Sequence, residues 1–340
     1  MSFELLKELT QAWGVAGREK NIRKIIYREI ADLVDDIFID AMGNIIALKK
    51  GIDSPDKKKI MLAAHMDEIG YQVKKILPDG RIKVYNAGWT WTASAYNDKV
   101  MFQNGTIGVV SCDCEIENAH NNAGNLFIDI GCSTKEETEK YVKVGDFAGF
   151  IGHWYELKDD KICAKSFDNR VGCYILIEAI KKNKGDSVND VYYVFTVQEE
   201  LGCRGSVVTA ERIRPDIGIA IDVTPDHFFP SDLQGSNIVG NGVAVKFGDP
   251  SAIMDEYLVD EMVKCCGENN IKYQRDVIDR GGTDASSMNK AGWGTRVCGI
   301  SIVDRYPHSQ SSVISKQDVI GAIELTDAYT KRVFKFEEIW

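Results

Sequence analysis

No stretch of this 340-residue sequence stays apolar for the roughly 20 residues needed to cross a bilayer, so no membrane-spanning helix is expected. The first residues, MSFELLKELTQAWGV, lack a basic segment followed by an apolar run and a small-residue cleavage site. A secretory signal is therefore not expected. Proline is scarce, at seven residues, and there is no internal repeat, low-complexity tract or long Gly/Ser linker. A composition of 44% hydrophobic and 27% charged residues is that of a soluble globular protein. Positive charge is also in deficit: 41 basic against 51 acidic residues leave a net −10, which argues against a nucleic-acid binder. Nine cysteines, an odd and scattered number, do not form a disulfide framework. Cys173, Cys265 and Cys266 fall in apolar, helical-looking segments, which fits free thiols in a reducing cytoplasm. Cys112 and Cys114 form a lone C-x-C, read as two cysteines on one face of a strand, with a metal or redox pair as the alternative.

What is present alternates in character along the chain. Phe3, Leu6 and Leu9 lie near one face of an amino-terminal helix, and residues 18–34 continue the helical period. NIIALKK and KKIMLAAH read as strands, the second ending at His65. From residue 70 short alternating segments follow one another with turn signals such as Pro78-Asp79-Gly80, the pattern of a small all-β unit. After residue 165 helix and strand alternate again: a helix at 169–182, strands at 191–197, 216–222 and 241–247, a helix near 252–268, and a last helix near 316–334. The expected fold is therefore α/β, a mixed sheet sandwiched by helices. Residues 1–69 and 165–340 would form the main domain, interrupted by an inserted β domain over 70–164.

Histidines and carboxylates recur where such folds place their sites, just past the carboxyl ends of strands. One strand runs into His65-Met66-Asp67, and the spacing of two sets His65 and Asp67 on the same face. Asp67 could then accept the second ring N–H of His65. VYYVFTVQ stops at Glu199-Glu200, DIGIAID ends on Asp222, KSFDNRVG puts Asp168 at a helix start, and DRYPHS sets His308 in a loop. Each has a plain alternative: a polar turn for the glutamates, a helix N-cap for Asp168, a turn for Asp222, core or surface histidines for His65 and His308. Together they form a His/Asp/Glu set too negative to persist without cations, and one that suits Zn²⁺, Co²⁺ or Mn²⁺. Five ligands exceed one tetrahedral ion and suit two ions about 3.5–4 Å apart sharing a carboxylate.

AHMDEIG, LFIDIG, KSFDNRVG, FTVQEELGCRG, AIDVTP, GGTDAS and RYPHS occur in this order, and with them the sequence resembles the tetrahedral aminopeptidases of metallopeptidase family 42 over nearly its whole length. Members of that family are glutamyl, leucyl, lysyl or deblocking aminopeptidases, and some carry an endoglucanase name. The resemblance implies a zinc-peptidase-like catalytic domain and a PDZ-like insert that mediates assembly, with a hollow tetrahedral dodecamer as precedent. It implies that His65, Asp168 and Asp222 hold one ion and Asp168, Glu200 and His308 the other. Asp67 would orient His65. Glu199 would be the general base, acting on a hydroxide shared by the two ions, with peptides as substrates. Another binuclear hydrolase, a deacylase, carboxypeptidase or glycosidase, is the competing enzyme reading, and a non-catalytic assembly protein the competing non-enzyme one. Two stretches depart from the family: TWTASAYND, and the segment after Asp222, where His227 is read as either a pocket-rim or a surface residue.

Overall fold

The computed structural model describes residues 1–118, 122–228 and 235–336. Among these residues the main sheet has nine strands, and its four central ones run parallel. Their order is Asp190–Thr196, Lys59–His65, Ile217–Pro225 and Arg296–Asp304. Antiparallel strands Ile45–Lys49 and Val243–Asp249 flank them. The central strands are almost continuously buried, as expected of a sheet covered on both faces. Register aligns the chemistry: Thr196 pairs with His65, and Ala220 pairs with Ala63, so Asp222 lies level with His65 one strand over. Asp190–Thr196 and Ile217–Pro225 sit on opposite sides of Lys59–His65, which opens a crevice past their carboxyl ends.

The helix Phe167–Lys182 packs on these parallel strands. It is apolar nearly all round, with Val171, Tyr174, Ile175, Leu176, Ile177 and Ile180 buried. Such a helix belongs between a sheet and other helices: Glu4–Gln11 and Lys20–Ile30 pack on it, and Lys316–Thr330, itself on the sheet, packs beside it. Each large apolar side chain it buries contributes roughly 1.5–3 kcal/mol. Lys181 and Lys182 in its last turn oppose the negative end of the helix dipole. Arg204–Ile213 and Ala285–Lys290 pack on each other and on the sheet as a separate group.

Residues 70–150 form a closed antiparallel barrel of six strands, from Gly70–Ile76 to Phe147–Phe150. It has its own core, including Tyr71, Val84, Phe102, Leu126 and Phe150, and closure leaves no free sheet edge. The next strand, Tyr155–Glu156, pairs with Lys161–Ala164, which pairs in turn with Ser312–Ser315, the strand that follows the His308 loop. Among the described residues no helix is long and apolar enough to cross a membrane.

Where the amino-terminal segment, the barrel and the main sheet meet, Glu68 is buried between Lys165 and Arg170. Glu68 also accepts hydrogen bonds from the Gly14 N–H (2.7 Å) and the Ser166 hydroxyl (2.5 Å). Arg170 donates to the Leu9 and Ala12 carbonyls. Burial opposes the Glu68 charge, but the two cations hold its carboxyl below the usual range. Its contribution to stability is therefore full above the unfolded glutamate pKa of about 4.3 and is lost as pH falls through the lower folded value. Glu68→Ala leaves two buried cations uncompensated, so it should cost about 3–5 kcal/mol in urea denaturation at neutral pH. A loss under about 1 kcal/mol, the scale of an exposed pair, would contradict this account.

Candidate metal centre

The glutamate pair does not extend the strand. Asp190–Thr196 stops three residues before Glu199, and the chain turns through left-handed conformations at Gln198, Gly202 and Cys203. That turn lets two adjacent carboxylates face one site, which a strand would forbid. Asp67 fixes it: its two oxygens accept the N–H groups of Glu199 (3.0 Å) and Glu200 (3.2 Å). Asp67 Oδ1 also lies 3.4 Å from His65 Nδ1, close enough for attraction but not aligned as a hydrogen bond. Asp67 therefore faces His65 without the expected hydrogen bond, and its hydrogen bonds go to the glutamate turn.

Asp168 is not the cap of its helix. Asn169 takes that role: its Oδ1 accepts the Gly172 N–H and its Nδ2 donates to the Ile221 carbonyl. Both oxygens of Asp168 are thereby free for the site. Oδ1 lies 2.9 Å from His65 Nε2 and Oδ2 lies 3.1 Å from His308 Nε2. Asp222 Oδ1 is 3.8 Å and Glu199 Oε2 3.9 Å from His65 Nε2, and Glu200 Oε2 is 3.9 Å from His308 Nε2. Ligand atoms of His65, Asp168 and Asp222 lie within 4.8 Å of one another, and so do those of Asp168, Glu200 and His308. The two groups share Asp168 alone.

His308 sits in a loop bracketed by Arg296–Asp304 and Ser312–Ser315. Buried Asp304 closes the loop by accepting the Ser312 hydroxyl (2.5 Å) and the Val313 N–H (3.1 Å). The Nδ1 of His308 lies 2.6 Å from the Trp89 carbonyl. A carbonyl only accepts, so Nδ1 carries a proton there, and the ring is held with Nε2 facing Asp168 and Glu200. Trp89 lies two residues past the barrel strand Ile82–Ala87, directly before the unusual stretch TWTASAYND. Its neighbour Gly88, at φ +89°, leaves room for Glu200; a Cβ there would meet the Glu200 side chain at 3.1 Å and Ile69 at 2.7 Å. The barrel therefore supplies part of the wall of the site, with the half-exposed Trp89 ring packed edge-on against Trp91.

The electrostatics fit a cation-binding group. Burial pushes Glu199 and Glu200 up to about 8, with only partial relief from His65 and His308 respectively. Asp222 rises well above the carboxylate range for the same reason. Burial acts against the Asp168 charge too, but bonds to His308 and His65 hold its carboxyl below the usual range. Glu200 Oε1 is buried with no partner among the described residues. Three imidazole-adjacent carboxylates that lack neutralisation, with imidazole nitrogens between them, are the donor chemistry of Zn²⁺, Co²⁺ or Mn²⁺.

Other features were not foreseen. Asp284, in the GGTDAS segment, is buried beside Glu199 with Cys203 completing a third group. Glu19 is buried against the same turn, accepting the Gln198 N–H (3.2 Å), and burial with Asp67 nearby lifts it to about 7. His227 is not a surface histidine: it is buried, and its Nδ1 accepts the Asn237 N–H. The C-x-C is only half in a strand, because Ile107–Cys112 ends at its first cysteine, and the two sulfurs are 3.3 Å apart. All nine cysteines are free. Residues 229–234 of the divergent stretch, and His120, lie outside the described residues.

The donor set, placed at the carboxyl ends of a parallel-centred sheet, defines a metal-dependent α/β enzyme. A model of the family described as M42 glutamyl aminopeptidase matches residues 43–325, and the chain belongs to that family. Lysyl aminopeptidase of Pyrococcus furiosus is 32% identical, over 96% of this chain and 96% of its own length. An aminopeptidase of the archaeon Desulfurococcus kamchatkensis has a similar structure, with a TM-score of 0.90 at 34% identity, covering 97% of this chain and 94% of that one. So does the TET1 peptidase of Pyrococcus horikoshii, described as assembling into a tetrahedron or a large octahedral shell (TM-score 0.85, 31% identity, 96% and 98% coverage). This chain is a metallo-aminopeptidase.

Proposed function

We propose that the protein is a dinuclear aminopeptidase in which Glu199 moves the proton. The observation that carries this reading is Asp168, one oxygen toward each histidine, at the overlap of two donor groups. His65, Asp168 and Asp222 would hold one cation, and Asp168, Glu200 and His308 the other. When bound, such ions supply Lewis acidity toward the scissile carbonyl and lower the pKa of water from 15.7 toward about 7. Asp67 positions Glu199 and Glu200 through their N–H groups and faces His65. Trp89 positions His308 through its carbonyl. Glu199, outside both donor groups, accepts the proton of the attacking water and returns it to the departing amine. The barrel is proposed as the assembling unit of a homo-oligomer, on the precedent of the Pyrococcus horikoshii peptidase, and nine free thiols favour a cytoplasmic setting.

A panel of aminoacyl-nitroanilides, amino-blocked peptides and soluble cellulose tests the reading. Free-amine substrates should be cleaved, blocked peptides and cellulose spared, and activity should vanish on chelation and return with Zn²⁺, Co²⁺ or Mn²⁺. Equal turnover of blocked peptides, or indifference to chelators, would contradict it. Light scattering on the same preparation should give a mass many times the 37.9 kDa subunit; a monomer would remove the assembly role of the barrel.

A further inference from the structure

We propose that Glu199, Cys203 and Asp284 form a separate cation site that takes a thiophilic divalent ion and thereby shuts the enzyme down. The three residues offer two carboxylates and a thiol whose ligand atoms lie within 4.8 Å of one another. They share no member with the donor groups around Asp168. The Sγ–H of Cys203 points at Glu199 Oε1, 3.0 Å away. Asp284 is 2% exposed; its Oδ2 accepts the Thr196 hydroxyl at 2.6 Å. Its Oδ1 makes no aligned hydrogen bond among the described residues, since the neighbouring Ser206 hydroxyl donates to the Cys203 carbonyl instead. A buried carboxylate oxygen without a donor is costly, and a cation is the ligand that relieves it.

The donor types choose the ion. Carboxylates alone admit Mg²⁺ and Ca²⁺, whereas a thiolate selects Zn²⁺ or Cd²⁺. Binding exchanges the Sγ–H proton for the ion, and the proton leaves to solvent. Glu199 bound to the ion is far less basic, so it takes a proton from water poorly. The shut-off therefore rests on the proposed role of Glu199, whereas the binding does not.

The test adds Cd²⁺ to the metal-loaded enzyme and follows both the ultraviolet Cd–thiolate absorption band and turnover. The donor groups around Asp168 contain no thiol, so the band reports cysteine ligation alone. The Cys112/Cys114 pair is a rival thiol site, and Cys112→Ser controls for it. We expect a band with loss of turnover in the native enzyme and in Cys112→Ser. Cys203→Ala should lose the band, and its own turnover should need about 10–100-fold more Cd²⁺ to fall. Cys203→Ser, nearly isosteric, serves if the alanine variant does not fold. An unchanged band and unchanged inhibition in either Cys203 variant would overturn the site. A Cys203-dependent band without loss of turnover would uphold the site, overturn the shut-off and count against Glu199 as the proton carrier.

Discussion

Glu199→Gln should retain its full metal complement and lose about 10²–10⁴-fold in kcat, the range for removing a general acid–base. At 1.36 kcal/mol per tenfold that is roughly 3–5 kcal/mol of transition-state stabilisation. Glutamine keeps the size and the position of the side chain but cannot accept a proton. The turn that carries it is held from below by Asp67, through backbone N–H groups the substitution leaves intact. Residue 199 belongs to neither donor group around Asp168, so metal analysis of the variant should match the native enzyme. Turnover within a fewfold of native would remove Glu199 from the role. Lost metal together with lost turnover would instead make it a ligand.

Asp168→Ala should behave differently, because it removes an oxygen from both donor groups at once. Metal content measured after gel filtration should fall at both positions, and activity should fall below that of Glu199→Gln. Asp222→Ala is the control: Asp222 faces His65 but has no part in the His308 group, so one position should empty and the other persist. If Asp168→Ala retained full metal, the shared carboxylate would be wrong. If Asp222→Ala emptied both positions, the two groups would not be separable.

Much of this site was readable because strand ends carry a sequence signature. The apolar run that stops on His65 marks a parallel strand ending there, whereas the strand of Asp222 runs on to Pro225, and it is parallel register that brings Asp222 level with His65. The short alternating segments after residue 70 likewise announced a β unit. What escaped was chemistry that residue type does not display. The Trp89 carbonyl that orients His308 is a main-chain atom on a different unit of the fold. Asn169 and Asp168 are adjacent and both can cap a helix, so only geometry shows that Asn169 does. Glu68 lies about a hundred residues from Lys165 and Arg170, and each charge is ordinary alone. The helix Arg204–Ile213 buries Gly205, Ser206, Thr209 and Ala210, small or polar residues that leave no hydrophobic period to read. The strand Asp36–Ile39 is four residues long and largely exposed, too short for an alternation to show. Cys203 and Asp284 were visible as letters, but only the fold brings them to Glu199.

The most direct measurement is anomalous diffraction from crystals grown with Zn²⁺ or Co²⁺. Two peaks should flank the Asp168 carboxylate, one beside His65 and Asp222 and the other beside His308 and Glu200. A single peak, or peaks that leave Asp168 uncoordinated, would contradict the shared-carboxylate centre on which the proposed chemistry depends.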